Sequence, residues 1–261
     1  MNSGAGCGSS SAVSGWHQHP SLRLKESRAA LSVLVRSHTI TAMPKTNDLA
    51  AVRAILDIDR GWTAYALADL APPYRAHSEW HAACRRPALL LIYRAFRPPV
   101  LIGCGAVEDL KPVLAEVASE PEMYLAVRHD VPDLIRSFGY VVRGEKPMLR
   151  MVLEPVRFIL PADRDTVRLG PEDYDSLLRL YADGAATAEN PLFFDASMLR
   201  HGVYFGIREG DTLVAAAGTH VFAPEEGVAG LGNVYTRRDR RGRGFGSRTT
   251  AAVTAELLRS G

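Results

Sequence analysis

Lysine is nearly missing from this sequence. Lys25, Lys45, Lys111 and Lys146 are all it has, and arginine carries the rest of the positive charge. The formal net charge of +2 is too small to draw a polyanion to the chain as a whole. Cysteine is scarce too: Cys7, Cys84 and Cys104 cannot all pair within one chain and have no zinc-knuckle spacing. They are expected as free thiols in a reducing compartment, with no metal. No apolar run is long enough to span a bilayer, so no membrane partner is expected and the expected location is cytoplasmic. What is present is ordinary for a globular chain. Apolar residues make up 47% and charged residues 23% of 261 positions, which suits one large domain or two small ones around a sizeable core.

The most informative stretch runs from Gly232 to Ser247, Gly-Asn-Val-Tyr-Thr-Arg-Arg-Asp-Arg-Arg-Gly-Arg-Gly-Phe-Gly-Ser. An apolar strand over 228–236 leads into an arginine-rich turn with glycines at 242, 244 and 246, then into an alanine-rich helix over 247–258. Glycine lets the backbone take positive φ and approach a ligand closely. The first amides of the helix lack intrahelical partners and sit at the positive end of its dipole, a ready place for an anion. Arg241 and Arg243 add charge-assisted donors. A Walker loop would need Lys after its last glycine, and a dinucleotide fingerprint needs Gly-x-Gly-x-x-Gly; this chain has neither. A nucleic-acid patch made of Arg237, Arg238, Arg240, Arg241, Arg243 and Arg248 is the competing reading. A strand and an amphipathic helix framing the run favour the phosphate loop, and no nucleic-acid partner is expected.

The stretch resembles the pyrophosphate loop of the GNAT acyltransferase superfamily, Arg or Gln, two residues, Gly, any residue, Gly or Ala, which Arg241, Gly244 and Gly246 fill. Asp239-Arg240-Arg241-Gly242 is similar to the usual Glu-Tyr-Arg-Gly, although Arg237 stands where a proline is common. The resemblance implies acetyl-CoA or another acyl-CoA as co-substrate. Its pyrophosphate would lie on the amides of Arg241, Gly242, Arg243, Gly244, Phe245, Gly246 and Ser247, and its pantetheine arm along Val234, Tyr235 and Thr236.

From Asn47 the pattern alternates helices and strands, which predicts an α/β (α+β) fold with a mixed central sheet and flanking helices. Residues 1–42 are expected as a disordered or misassigned extension in which 22–35 has the pattern of a weak amphipathic helix. A first lobe is expected over 43–156. It includes strands over 140–143 and 148–153, and a turn, Gly103-Cys104-Gly105, whose following Glu108 and Asp109 would repel an anion. The turn Ser137-Phe138-Gly139-Tyr140 is similar to a late turn of the GNAT fold. The lobe therefore looks like a degenerate GNAT-like half without a CoA loop, an arrangement similar to the glycine N-acyltransferase-like branch. Residues 157–165 read as the linker and 166–261 as the working lobe, an N-acetyltransferase domain. His77, His81 and Cys84 share one face if they are helical, more simply a surface or interface helix than a metal site.

The implied chemistry is direct attack of a primary amine, on a small molecule or a protein, at the thioester carbonyl, polarised by a main-chain amide near Val234 or Tyr235. Many superfamily members take the base from a strand Glu, which this strand lacks. Asn233, Tyr235, His220 and Glu226, with Glu225 beside it, are the catalytic candidates, each also readable as structural. Phe193, Phe194 and Tyr181 suit either an acceptor pocket or the core. The superfamily continues past this helix with a fifth strand, a further helix that usually carries a thiolate-donating Tyr, and more strands. None follows Gly261, so the second lobe is expected to be incomplete and relatives to run longer. A non-catalytic CoA- or partner-binding protein is the alternative.

Overall fold

A computed structural model describes residues 22–23, 28–36, 46–82, 87–116, 121–159, 165–191 and 193–260. Arg28–Arg36 (β2) follows the two-residue strand Leu22–Arg23 (β1), and after it come the helices Leu49–Leu56 (α1) and Arg60–Ala68 (α2). Asp48 and Asp59 cap them by accepting from the amides of Ala50, Ala51 and Trp62. The strands Ser78–Ala82 (β3), Leu89–Tyr93 (β4) and Val100–Cys104 (β5), helix Val107–Glu116 (α3), strand Glu122–Arg128 (β6), helix Val131–Ser137 (α4) and strand Tyr140–Leu149 (β7) complete the first sheet. Its order is β3-β4-β5-β6-β2-β7, with only β5 and β6 parallel, joined by the α3 crossover. Leu56, Leu67, Trp80, Leu89 and Leu91 fill one face beneath α1 and α2, while Leu90, Leu110, Leu125 and Ile135 fill the other beneath α3 and α4.

Three expectations are corrected here. The segment over 22–35 is not helical: Arg28–Arg36 is a strand seated between β6 and β7, antiparallel to both. The run Ala-Ala-Leu-Ser-Val-Leu-Val is apolar nearly throughout, as a central strand must be, and the neighbouring ladders outweigh weak helical spacing. The expected extension thus contributes a strand to the first sheet. His77 ends a 3-10 turn and His81 lies on β3, paired with Leu90 of β4, so the two histidines do not share a helical face; Cys84 falls outside the described residues. The two strands expected over 140–153 are mostly one, since β7 runs through Gly144 and Pro147, and only Val152–Leu153 (β8) is separate. Pro147 is accommodated because β7 is an edge strand. Cys104 is a free, buried thiol, its pKa pushed up to about 12 chiefly by burial, and Cys7 lies outside the described residues.

The second sheet holds Val167–Leu169 (β9), Tyr204–Glu209 (β10), Thr212–Ala223 (β11) and Val228–Thr236 (β12), all antiparallel in the order β12-β11-β10-β9. Tyr174–Ala182 (α5) and Ala196–His201 (α6) pack on one face through Leu177, Leu180, Tyr181, Leu199 and Tyr204. Phe245–Arg259 (α7) packs on the other through Phe245 and Val253. The lobes meet where α2 lies against β11 and β12. There Arg53 grips Glu226 through two hydrogen bonds, one of them 2.7 Å, and Arg60 donates to the Glu226 carbonyl at 2.5 Å.

Candidate functional site

The β12 strand is irregular at the point that matters. Ala216 pairs with Tyr235 and Gly218 with Gly232, leaving Asn233 and Val234 together opposite Ala217. This is a β-bulge, and Asn233 sits in it at φ 51, a left-handed conformation that asparagine tolerates better than most residues. The bulge breaks the ladder just before the strand ends. Among the described residues no strand pairs with the far edge of β12.

Beyond Thr236 a 3-10 turn over Arg238–Arg240 leads to Gly242 and Gly244, at φ 79 and 75, and then to α7. An added Cβ would meet nothing within 4 Å at either glycine, so the loop borders open space. Helices α1, α2 and α6 each begin under an aspartate cap, whereas no side chain caps α7 and its first turn holds no acidic residue. The amides of Phe245, Gly246 and Ser247 are therefore the helix's own unpaired donors, facing a region without competing carboxylates of their own turn.

The arginines beside this loop are spoken for. Arg237 pairs with Asp239, Arg238 with Asp183, Arg240 with Glu209 and Asp239, Arg243 with Glu209 and Arg248 with Asp165. Arg241 lays its guanidinium across Glu189 in two bonds of 3.0 and 3.2 Å and donates Nε–H to the Thr236 carbonyl. Six arginines thus face five carboxylates, so the run lacks the uncompensated positive stripe that binds a phosphate backbone. It braces the loop. Asp183 braces it from α5, accepting from the Arg238 amide at 3.0 Å and the Tyr235 hydroxyl at 2.8 Å. Those bonds, the amide first, hold its pKa below the ordinary value.

The catalytic candidates separate in the structure. Asn233 and His220 come together, Tyr235 is turned to Asp183, and Glu226 lies at the lobe junction under Arg53. His220 and Asn233 belong to a directed chain of hydrogen bonds that starts in the first lobe. The Tyr65 hydroxyl donates to His220 Nδ1 at 2.9 Å, and His220 Nε2–H donates to Asn233 Oδ1 at 3.0 Å. Asn233 Nδ2 donates to the Tyr204 hydroxyl at 2.8 Å, which donates to the Thr219 carbonyl at 3.0 Å. Tyr181 closes the bulge by donating to the Asn233 carbonyl at 3.0 Å. Tyr65 and Tyr204 are neighbours of these candidates that sequence reasoning missed. Their signal was glycine on the strands: Gly218 lies under the Tyr204 ring, Gly230 under Tyr65 and Gly232 under His220.

Burial, ahead of the opposing Asn233 bond, pushes the His220 pKa below its ordinary 6.5, and the chain needs a neutral ring because Nδ1 accepts. Folded protein therefore binds fewer protons here than unfolded chain does, so stability falls as pH drops below 6.5. Urea midpoints between pH 8 and 5 should decline more steeply for the wild type than for His220→Gln; parallel declines would show that His220 does not carry the effect.

Phe194 belongs to the core, against Tyr174, Tyr181 and Tyr204, while Phe193 crosses to the first lobe and meets Phe96 and Tyr124 at 5.1 and 5.3 Å between ring centroids. The first lobe repeats the strand-turn-helix plan at β5 and α3 without the space. A Cβ on Gly105 would lie 2.7 Å from the Pro87 carbonyl, and Glu108 and Asp109 occupy the first turn. Among the described residues no helix is long and apolar enough to cross a membrane, and no group of three or more His, Cys, Asp or Glu suits a metal ion.

No curated protein matches the chain. Among solved structures, a Drosophila protein aligns at 16% identity and TM-score 0.57, covering 85% of this chain and 87% of that one. A GCN5-related N-acetyltransferase from Kribbella flavida aligns at 17% and 0.50, covering 76% and 82%. These likenesses concern the fold. A structure from Novosphingobium aromaticivorans, described as an acetyltransferase of the GNAT family, is 28% identical with a TM-score of 0.34; the match covers 40% of this chain and 44% of that one, under half its length. Over residues 172–261 the chain matches the model of the acetyltransferase (GNAT) family, a span that takes in the bulged strand, the glycine loop and the helix behind it.

Proposed function

We propose that the chain transfers an acyl group, acetyl in the first instance, from acyl-CoA to a primary amine. The observation that carries this is the uncapped start of α7 behind Gly242 and Gly244, opening beside a bulged strand whose far edge is unpaired among the described residues. Open space beside the two glycines and helix amides without partners suit a pyrophosphate, and the free edge of β12 suits an amide-bearing arm that pairs as a strand does. Acyl-CoA supplies the thioester. The amine nitrogen bonds to the carbonyl carbon, the carbon–sulfur bond breaks, and the proton lost by nitrogen balances the one gained by the thiol.

The part of this chain's residues is mostly positional. The bulge at Asn233 and Val234 turns a main-chain amide out of the ladder to polarise the carbonyl. The bonded chain from Tyr65 to Tyr204 fixes the bulge, and Asp183 and Glu189 hold the loop. With every group of that chain already bonded, neither His220 nor Asn233 is read as the base; both are positioning residues. Calorimetric titration of the whole chain with acetyl-CoA tests the reading, followed by an amine panel scored for released thiol. Binding with turnover supports it. Binding without turnover on any amine would favour a non-catalytic CoA-binding protein, and a folded chain that binds no acetyl-CoA would sink both.

A further inference from the structure

All three guanidinium nitrogens of Arg241 are engaged. Nη1 and Nη2 donate to Glu189 Oε1 and Oε2 at 3.0 and 3.2 Å, and Nε donates to the Thr236 carbonyl at 3.2 Å. Thr236 also borders the start of α7, because a Cβ built on Gly246 would lie 3.5 Å from its Oγ1. The guanidinium and the first turn of α7 therefore flank one residue, beside the open space at Gly242 and Gly244. A charged donor stands next to the helix amides, and a carboxylate already occupies it.

Glu189 is aimed there by its own segment. The stretch 184–191 leaves α5 beside Tyr235, where a Cβ on Gly184 would lie 2.9 Å from the ring, and turns back through Ala188 at φ 54. The Glu189 amide donates to the Gly184 carbonyl at 3.0 Å, and the Thr187 hydroxyl donates to Glu189 Oε2 at 2.7 Å. The bonds from Arg241, and then the one from Thr187, hold the Glu189 pKa below its ordinary 4.5, so the carboxylate is charged at neutral pH. Left-handed backbone is unfavourable for alanine, and a bridge between side chains as exposed as these, 43% and 41%, adds little to folding. Stability is thus a weak reason for a strained turn that ends in a carboxylate. Its effect on local charge is larger: with Glu189 the six arginines of the run meet five carboxylates, and without it they would meet four.

We propose that Glu189 is an autoinhibitory contact: it keeps the Arg241 guanidinium from an incoming pyrophosphate and sets a carboxylate beside the loop, so that acyl-CoA and the CoA product both bind weakly. The inference rests on the acyl-transfer reading above. A guanidinium released from Glu189 would add a charge-assisted donor to the helix amides. Product carrying the same pyrophosphate would then leave more slowly, which is the step such a contact speeds.

The test is calorimetric titration of the whole chain and of Glu189→Gln with acetyl-CoA, with CoA and with inorganic pyrophosphate, each at two ionic strengths. The variant should bind all three about tenfold more tightly. Its affinity should also fall more steeply with salt, because one more cation faces the ligand. Glu189→Gln combined with Arg241→Ala should return to about the wild-type affinity. A residue that only braces the loop predicts the opposite sign, since its loss loosens the loop and weakens binding. Equal or weaker binding by Glu189→Gln, or a gain that survives the loss of Arg241, would overturn the proposal. Glu189→Ala removes the same charge and decides the matter should the glutamine variant not fold. Acetyl-CoA binding by the wild type with no gain in the variant defeats only this inference; a gain for pyrophosphate with no acetyl-CoA binding by any of these chains defeats only the acyl-transfer reading.

Discussion

Gly244→Asp should fold nearly as well as the wild type and bind acetyl-CoA roughly a hundredfold more weakly, a loss of about 3 kcal/mol. The folding side of this follows from what surrounds the residue. A Cβ at Gly244 meets nothing within 4 Å, so no packing is lost, and the cost is the φ of 75, about 1–2 kcal/mol for a residue with a side chain. A carboxylate at the start of α7 returns part of that by accepting from the helix amides and facing the positive pole. The same carboxylate then occupies the donors that an anionic ligand needs and repels it. Gly244→Ala separates the two effects, because it carries the backbone strain without the charge and should lose far less affinity. Arg241→Ala should also be mild, since its side chain is committed to Glu189 and Thr236 and acts on the loop rather than on the ligand. Calorimetry on the three variants checks the order. An Arg241→Ala loss as large as that of Gly244→Asp would show that the guanidinium, and not the helix amides, holds the phosphate.

What could be read from the sequence was what the chain specifies locally. The stretch from Val228 to Arg259 was legible because its strand, its positive-φ glycines and its helix are neighbours in sequence and need no distant partner. Arg28–Arg36 and the segment from His77 to Ala82 were misread because apolar or mixed spacing over so few residues fits helix or strand, and ladders to β4, β6 and β7 decide it. Within the site, the residue types at the loop were visible, but the commitments of their side chains were not. Arg241 reads as a ligand donor until Glu189, 52 positions away, is seen to hold it. His220 reads as a base until Tyr65, 155 positions away, fills its Nδ1.

Gly218→Ala is the substitution expected to damage the fold most. The added methyl would stand within the van der Waals envelope of the Tyr204 ring, which has no exposure and cannot swing outward. Overpacking of this kind costs about 1–3 kcal/mol in itself. Tyr204 also carries two buried hydrogen bonds, from Asn233 and to the Thr219 carbonyl, and moving the ring leaves their partners unpaired at about 1–3 kcal/mol more. A total of roughly 2–6 kcal/mol corresponds to a melting temperature lower by on the order of 10 °C for a chain of this size. The damage should extend to function, because Asn233 loses the partner that fixes its amide, and with it the geometry of the bulge. Gly210→Ala is the control: Gly210 sits at φ 58 in the hairpin turn, and a methyl added there meets nothing within 4 Å, so only backbone strain of about 1–2 kcal/mol is added. Thermal melts of the two variants should differ by several degrees, with weakened acetyl-CoA binding confined to Gly218→Ala. Equal melts would mean that the Tyr204 ring yields at little cost, and that the chain of bonds from Tyr65 to Thr219 does not hold the strand in its bulged form.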